Sequence, residues 1–205
     1  VLTDIDNAYH TEIFKGVSSY LQRRGYTINV AFSNSLPDIE CEKIDDFVSQ
    51  NVSGLVIITC QPQNSEFFIN RLKNFNIPAV FVERRPDNID VSFAGFDNQK
   101  TLYTITSALL EKGYKDIALF TGNSHFSSES DCIAGYKNAF QSRGLSFLNP
   151  LIYETNMSKE SAFKAAIANL CSQHVEAIIA TSENIASGIL EMLHIFEIRI
   201  PDDVQ

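Results

Sequence analysis

Short apolar segments alternate with longer amphipathic segments along the whole chain. Most of the short segments are apolar at every position, such as Leu-Val-Ile-Ile and Ala-Ile-Ile-Ala. A strand of this kind must be covered on both faces, which is typical of a parallel sheet with helices on each side. The predicted strands are residues 1–5, 28–32, 55–59, 79–83, 92–96, 117–121, 151–153 and 177–181.

The segments between these strands have helical periodicity. Ile13, Val17, Tyr20 and Leu21 follow the i, i+4, i+7, i+8 spacing of one helix face, and Gly25 then supplies a C-terminal stop. The spacing recurs in residues 102–110, 133–140, 162–170 and 185–193, with Gly113 and Gly144 as stops and Ser158 as an N-terminal cap. The alternation predicts a doubly wound α/β fold.

One connection breaks the alternation. The strand at 79–83 is followed by Arg-Arg-Pro-Asp-Asn and then by the strand at 92–96, with no room for a helix between them. We expect one sheet to end here and a second to begin. The sequence therefore predicts two α/β lobes with parallel sheets, residues 1–94 and 95–205.

The charge, apolar runs and cysteine content of the chain limit its binding partners and its cellular compartment. The chain has 16 Lys plus Arg against 25 Asp plus Glu, a net charge of −9, which argues against nucleic-acid binding by this chain itself. No apolar run is long enough to span a membrane, and no signal peptide opens the chain. The four cysteines are dispersed, which predicts thiols in a reducing compartment and hence a cytoplasmic protein.

Polar residues follow the predicted strands, where ligands bind in open parallel sheets. Carboxylates, amides and hydroxyls dominate, with Tyr9 and His10 as ring platforms, so the mixture suits a polyhydroxyl or small polar ligand. The alternative is that these loops are polar because they are exposed. The other members are Asp6, Asn7, Ser33, Asn34, Gln61, Glu83, Arg84, and residues 121–123, 154–156 and 182–184.

Motifs that would indicate an enzyme are absent from the sequence. The nine glycines form neither a dinucleotide fingerprint nor a phosphate loop, and no Gly-x-Ser-x-Gly elbow occurs. Glu191 and His194 share a helix face, but one such pair is typical of a solvated surface. The sequence thus predicts no catalytic residue, no metal ligand, no cofactor, and no set combining nucleophile, base and orienting group.

Several motifs occur in the order and at the spacing of one protein family. Through them, nearly the whole chain resembles the effector-binding core of LacI/GalR-type bacterial transcription regulators. The motifs are Val-Leu-Thr-Asp-Ile-Asp-Asn-Ala-Tyr-His at the start, Gly16-Val17, Gly25-Tyr26, and residues 52–57, 77–84, 97–98, 110–118, 133–136, 186–188 and 200–204.

The resemblance implies the fold of the type I periplasmic binding proteins, with two Rossmann-like lobes joined by crossover strands. It implies a small effector, a sugar or sugar derivative, bound in the cleft between the lobes. It also implies a homodimer that binds operator DNA through a helix-turn-helix lying upstream of this chain, and no membrane contact. By this resemblance the chain is expected to be clipped at both ends, with the returning strands of its N-terminal lobe missing.

The resemblance also implies a set of ligand contacts. Tyr9 and His10 occupy the positions of paired aromatic residues, Glu83 and Arg84 those of an Asp-Arg pair, and Glu183 that of an aspartate that accepts hydrogen bonds from ligand hydroxyls. Ser128 lies four residues before a position that usually carries arginine and that carries Cys132 here. Because a thiol cannot donate a bidentate fork, either the ligand lacks the group that arginine would hold, or Arg84 or Arg85 substitutes, or Cys132 merely packs.

Two rival functions are open at this point. A periplasmic sugar-binding transport component has the same fold, and the upstream residues would decide between it and a regulator. An enzyme of the doubly wound class would need a catalytic constellation that the sequence does not contain. Lys100 and Glu197 also depart from the family pattern, at positions where glycine is usual, and both are expected to be peripheral.

Overall fold

The computed structural model describes residues 1–3, 8–145 and 151–205. The predictions made for residues 4–7, including the end of the first strand and the polar residues Asp6 and Asn7, lie outside the described residues. The chain divides into two compact units, Val1–Phe96 and Asp97–Gln205. The division thus falls after Phe96, whereas the sequence analysis placed it after Ala94.

The N-terminal unit contains a parallel sheet in the order β1-β2-β3. Residues 1–3 extend this sheet, because the Ile58 N–H donates to the Val1 carbonyl (3.0 Å) and the Leu2 N–H donates to the Ala31 carbonyl (2.9 Å). The elements are α1 (Ala8–Gln22), α2 (Pro37–Ser49), β1 (Leu55–Ile57), α3 (Ser65–Phe68), a π-helical turn (Ile69–Lys73), β2 (Ala79–Val82) and β3 (Ser92–Ala94).

Two predictions for this unit need correction. Residues 28–32 form no regular strand and contribute a single parallel bridge between Phe32 and Leu2. The sequence analysis also missed α2. Its buried apolar residues Ile44, Phe47 and Val48 follow helical spacing, but they occupy only its second half, after an acidic first turn.

The C-terminal unit contains a second parallel sheet in the order β5-β4-β6. The four helices predicted for this region are all present, and Ser158 caps α6 by accepting a hydrogen bond from the Ser161 N–H (3.1 Å). The elements are α4 (Asn98–Glu111), β4 (Ile117–Thr121), α5 (Ser127–Gln141), β5 (Ile152–Glu154), α6 (Lys159–Leu170), β6 (Ala177–Ala180) and α7 (Glu183–Ile195).

Strand β4 shows why this sheet is covered on both faces. All five of its residues are buried. Ala118 and Phe120 pack in a cluster with α6 and α7, whereas Ile117 and Leu119 pack in a second cluster with α4 and α5. Each large apolar side chain buried in this way contributes roughly 1.5–3 kcal/mol. The continuous apolarity of the sequence is therefore explained, and the prediction of a parallel α/β architecture is confirmed.

Two glycines allow helices of the C-terminal unit to pack closely. A Cβ atom at Gly135 of α5 would lie 2.1 Å from the Gln99 carbonyl oxygen of α4. A Cβ atom at Gly188 of α7 would lie 2.2 Å from the Lys159 carbonyl oxygen of α6. Backbone atoms cannot yield at such distances, so each helix pair requires glycine at its crossing point.

Helix ends in both units use a residue with positive φ. After α4, for example, Gly113 adopts φ 99°, and the Tyr114 N–H donates to the Leu109 carbonyl at 3.2 Å. The same backbone turn follows α7, where Glu197 adopts φ 56° and the Ile198 N–H donates to the Leu193 carbonyl at 2.9 Å. Glycine is favoured here because a Cβ atom crowds the backbone in this conformation.

Replacing Glu197 with glycine should therefore stabilise the protein. We expect Glu197→Gly to raise the free energy of unfolding by roughly 0.5–1 kcal/mol, since relief of the left-handed strain exceeds the added flexibility of the unfolded chain. Chemical denaturation would measure the change. Glu197→Ala retains the Cβ atom and is the control; an equal gain in the alanine variant would contradict the explanation.

Candidate functional site

Chain connectivity indicates where each sheet can bind a ligand. In the C-terminal unit, β4 is followed by β5 on one side and later by β6 on the other. In the N-terminal unit, residues 1–3 lie between residues 31–33 and β1. A crevice opens beyond the carboxyl ends of strands where the chain changes direction in this way. The edge at the carboxyl ends of the strands, here called the strand-end edge, is therefore the candidate site of each unit.

His10 is the central polar group at the strand-end edge of the N-terminal unit. It lies in the first turn of α1 and is only 1% exposed. Its Nδ1 lies 3.0 Å from the Thr3 hydroxyl, and its Nε2 lies 2.6 Å from the Glu83 carboxylate. Both ring nitrogens are thus engaged, which fixes the orientation of the imidazole.

Glu83 adopts an unusual backbone conformation directly after β2. Its φ is 64°, and the Arg84 N–H donates to the Val82 carbonyl two residues earlier at 2.7 Å. This is a γ-turn of the positive-φ kind, which is rare and strained for a residue with a side chain. Strain of this kind persists only where the surroundings enforce it and is concentrated at functional sites. Here the turn directs the carboxylate to His10.

The charge of Glu83 is stabilised locally. Burial opposes ionisation, but the hydrogen bond from His10 and the positive charges of Arg84 and His10 outweigh it, so the pKa of Glu83 lies below its ordinary value of 4.5. Arg84 is itself buried; its Nε lies 3.7 Å from the Glu83 carboxylate, and it donates to the Thr59 carbonyl at 3.5 Å. Arg84 therefore positions Glu83 rather than facing solvent.

Tyr9 is the accessible member of this group. Its side chain is 42% exposed, and its ring centroid lies 6.0 Å from that of His10 at an angle of 50°. The pKa of its hydroxyl is raised by partial burial and by the charge of Glu83. The structure thus brings four predicted site residues together at one edge, with Tyr9 free to contact a ligand.

Thr3, His10 and Glu83 also line up in the order of a hydroxyl, a base and an orienting acid. The sequence analysis expected no such set. Thr3 is only 2% exposed, however, so its hydroxyl cannot reach a substrate from solvent. The arrangement therefore orients the imidazole rather than activating a nucleophile.

A buried carboxylate that the sequence analysis missed, Glu40 of α2, lies at the same edge. It is fully buried, accepts a hydrogen bond from the Thr59 hydroxyl (2.7 Å) and one from the Cys60 N–H (2.6 Å). These donors follow β1 directly. Glu40 thus satisfies backbone and hydroxyl groups where the strand ends.

Glu129 of α5 has the same role in the C-terminal unit and was also missed. It is 4% exposed, and one carboxylate oxygen accepts hydrogen bonds from the Thr121 hydroxyl (2.7 Å), the Gly122 N–H (2.9 Å) and the Thr181 hydroxyl (2.8 Å). Thr121 ends β4 and Thr181 follows β6, so this one carboxylate joins the two strands between which the crevice is expected.

The other predicted site residues of the C-terminal unit lie in different surroundings. Ser128 is buried, and its hydroxyl donates to Glu129 at 3.3 Å. Cys132 packs in the core cluster with Leu119 and Tyr136, and burial raises the pKa of its thiol to about 12. Glu183 is exposed at the start of α7. The core position of Cys132 favours the interpretation that it packs, while the contacts of Ser128 and Glu183 with a ligand stay predictions.

Two features lie at the opposite edges of the sheets. A pocket of about 370 Å³ is lined by residues that precede β2 and β3 and by the π-helical turn. Among the described residues, Asp116, His174 and Glu176 also bring possible metal-ligand atoms within 4.8 Å of one another. Asp116 and Glu176 precede β4 and β6, so this cluster lies away from the strand-end edge.

Comparison with known proteins agrees with this architecture. Residues 1–205 match the family described as periplasmic binding proteins and sugar binding domain of LacI family. The chain is 22% identical over 205 residues to the HTH-type transcriptional repressor PurR of Vibrio campbellii, covering 100% of this chain and 61% of that protein. It therefore spans less than two thirds of the length of the curated relatives it matches.

Solved structures share the fold. The transcription regulator CcpA of Lactococcus lactis superimposes with a TM-score of 0.89 at 22% identity, covering 100% of this chain and 75% of that one. A LacI family transcriptional regulator from Enterococcus faecium with bound ribose has a TM-score of 0.86 at 19% identity, covering 99% and 73%. Among the described residues, no helix is long and apolar enough to cross a membrane.

The lowered pKa of Glu83 predicts an acid-sensitive contribution to stability. The His10–Glu83 contact should contribute fully above the ordinary carboxyl pKa of 4.5 and be lost as the pH falls through the lower folded-state pKa. Glu83→Gln should therefore reduce stability at neutral pH and flatten its decline in acid, as measured by denaturation at a series of pH values. The exposed Glu66→Gln is the control and should keep the wild-type decline.

The hydrogen bonds of Glu129 predict a large effect of its removal. Glu129→Ala leaves three hydroxyls and one N–H without their acceptor, and we expect a loss of roughly 2–4 kcal/mol in the free energy of unfolding. Glu154 is exposed and accepts only the Ser124 N–H at 3.2 Å among the hydrogen bonds of the described residues. Glu154→Ala should thus cost far less, and equal losses in the two variants would contradict the role given to Glu129.

Proposed function

We propose that this chain, which belongs to the family of periplasmic binding proteins and sugar-binding domains of LacI type, is the effector-binding domain of a transcription regulator. The regulator assignment is supported by the relatives, since the proteins that match include repressors and catabolite control proteins. A periplasmic transport component of the same fold is the alternative. The domain is a sensor and not an enzyme.

The observation that most supports a binding function is the His10–Glu83 contact. The buried imidazole of His10 bonds to the partly buried carboxylate of Glu83, 73 residues away in the sequence, and the contact involves a strained turn. A fold that needed only a packed core would have no use for these groups at the strand-end edge. His10 and Glu83 form a fixed pair of polar groups next to the exposed ring of Tyr9.

The proposed ligand is a sugar or a sugar derivative. A tyrosine ring stacks on the apolar face of a sugar, while carboxylates accept hydrogen bonds from hydroxyl groups. Tyr9 and Glu183 are exposed and are the expected direct contacts, with Ser128 as a further candidate. Glu83 is a further hydrogen-bond acceptor for the ligand, and Arg84 positions the Glu83 carboxylate. Cys132 contributes packing only.

The proposed mechanism is a shift between conformations. Ligand binding stabilises one arrangement of the regulator over another, and coupling of this kind is typically worth about 1–3 kcal/mol. We further propose that the complete protein is a cytoplasmic homodimer that binds operator DNA through a helix-turn-helix outside this chain. The net charge of −9 is consistent with DNA binding by a separate segment.

A thermal-shift screen of the complete protein tests the ligand class. Sugars, sugar phosphates and nucleosides would be added in turn, because a bound ligand raises the unfolding temperature by mass action. At least one sugar or sugar derivative should stabilise the protein in a saturable manner. Stabilisation by nucleosides alone would overturn the proposed ligand class but leave the sensor function intact.

Removal of Glu183 tests the proposed contacts. Glu183→Ala should weaken binding of the stabilising sugar about tenfold, the effect of losing one or two hydrogen bonds to a charged acceptor, and should leave the unfolding temperature nearly unchanged. Isothermal titration calorimetry measures the affinity. Glu111→Ala, an exposed carboxylate at the end of α4, is the matched control; unchanged affinity in Glu183→Ala would remove this residue from the site.

A further inference from the structure

The helices of the C-terminal unit carry acidic residues where α/β proteins usually bind phosphate. Helices α5, α6 and α7 follow β4, β5 and β6, so their N-termini face the strand-end edge. A helix N-terminus carries about half a positive charge and exposes N–H groups, which makes it an anion site by default. Here each first turn contains its own carboxylate: Glu129 in α5, Glu160 in α6 and Glu183 in α7.

These carboxylates differ in how far their charge is neutralised. Glu160 forms an ion pair with Lys164 at 2.5 Å and contributes little. Glu129 is buried and is held only by neutral donors, namely three hydroxyls and one N–H. Glu183 is exposed and has no ion pair within the described part of the chain. Two negative charges thus remain, one shielded from water and one accessible.

The loops of this edge in the C-terminal unit contain no lysine or arginine. Residues 122–126, 155–158 and 181–182 contain neither lysine nor arginine. The first cation beyond them, Lys159, forms an ion pair with Glu191 of α7 at 3.0 Å. Glu154, the last residue of β5, adds a further carboxylate whose oxygen accepts the Ser124 N–H. A ligand phosphate at this edge would therefore meet these carboxylates, while the loops of the edge offer it no lysine or arginine and only one imidazole, that of His125.

We infer that the strand-end edge of the C-terminal unit selects uncharged or cationic ligands and disfavours phosphorylated or carboxylated ones. The inference rests on the proposed function, because it specifies the charge of the small molecule that this edge contacts. A neutral polyol can donate hydrogen bonds to the exposed carboxylate of Glu183, whereas an anion is repelled by both Glu183 and Glu129. The shielded charge of Glu129 acts over the longer range because water screens it less.

Matched pairs of probes test this selectivity. Ribose and ribose 5-phosphate, and glucose and glucose 6-phosphate, would be compared by calorimetry on the complete protein, with inorganic phosphate as a third probe. For a sugar that binds, the phosphorylated form should bind at least about tenfold more weakly, the effect expected of an unpaired like charge nearby. Inorganic phosphate should produce no saturable binding.

Charge-removing variants identify the residues responsible. Glu183→Gln keeps the side-chain size and a hydrogen-bond acceptor, and it should reduce the discrimination between the paired probes by about three- to tenfold. Glu129→Gln should act in the same direction if it folds, which circular dichroism would establish; Glu183→Gln keeps the test decisive if it does not. Glu111→Gln removes one charge at the end of α4, which leads into the start of β4, and should leave the discrimination unchanged.

The outcomes separate this inference from the proposed function. Equal or tighter binding of a phosphorylated sugar, or saturable binding of inorganic phosphate, would overturn the charge selectivity and leave the sugar sensor intact. An unchanged ratio in Glu183→Gln would also count against it, because the accessible charge would then play no part. Failure of every sugar, phosphorylated or not, to bind would overturn the proposed ligand class and the inference with it.

Discussion

Parallel pairing of the strands determines where this chain can place polar chemistry. All strands of a sheet end at one edge, and their last N–H and hydroxyl groups need acceptors there. Buried carboxylates supply them: Glu40 accepts from the residues after β1, and Glu129 from those after β4 and β6. Without these acceptors the edges would have to be open to water along their whole length. The carboxylates therefore stabilise the sheets and also set the charge that a ligand encounters.

Much of the architecture could be predicted from local patterns. The continuous apolarity of β4 indicates cover on both faces, and the structure has separate clusters on each side of it. Residues 28–32 show where the pattern fails, since a β-branched segment becomes a strand only if its partner offers a matching ladder. Helix α2 was missed because its buried apolar residues fill only the second half of its length.

The sequence indicated which residues belong to the candidate site, but it did not indicate which of them contact each other. Resemblance placed His10 and Glu83 at ligand-binding positions, yet nothing in the sequence indicates that they bond to each other across 73 residues. That contact requires the register of β2 beside β1 and the γ-turn at Glu83. Glu40 and Glu129 gave no signal at all, because acidic residues in the first turn of a helix are common and are usually solvated. Only the fold turns these two inward.

The crossing glycines of the C-terminal unit have a mechanical consequence. Gly135 and Gly188 bring the backbones of α4 and α5, and of α6 and α7, into direct contact, so neither pair can slide without a clash between main-chain atoms. Each pair must then move as one block, and any rearrangement is forced into the connecting loops. Those loops carry the polar strand ends. The paired helices are thus a stiff support behind the loops at the strand-end edge.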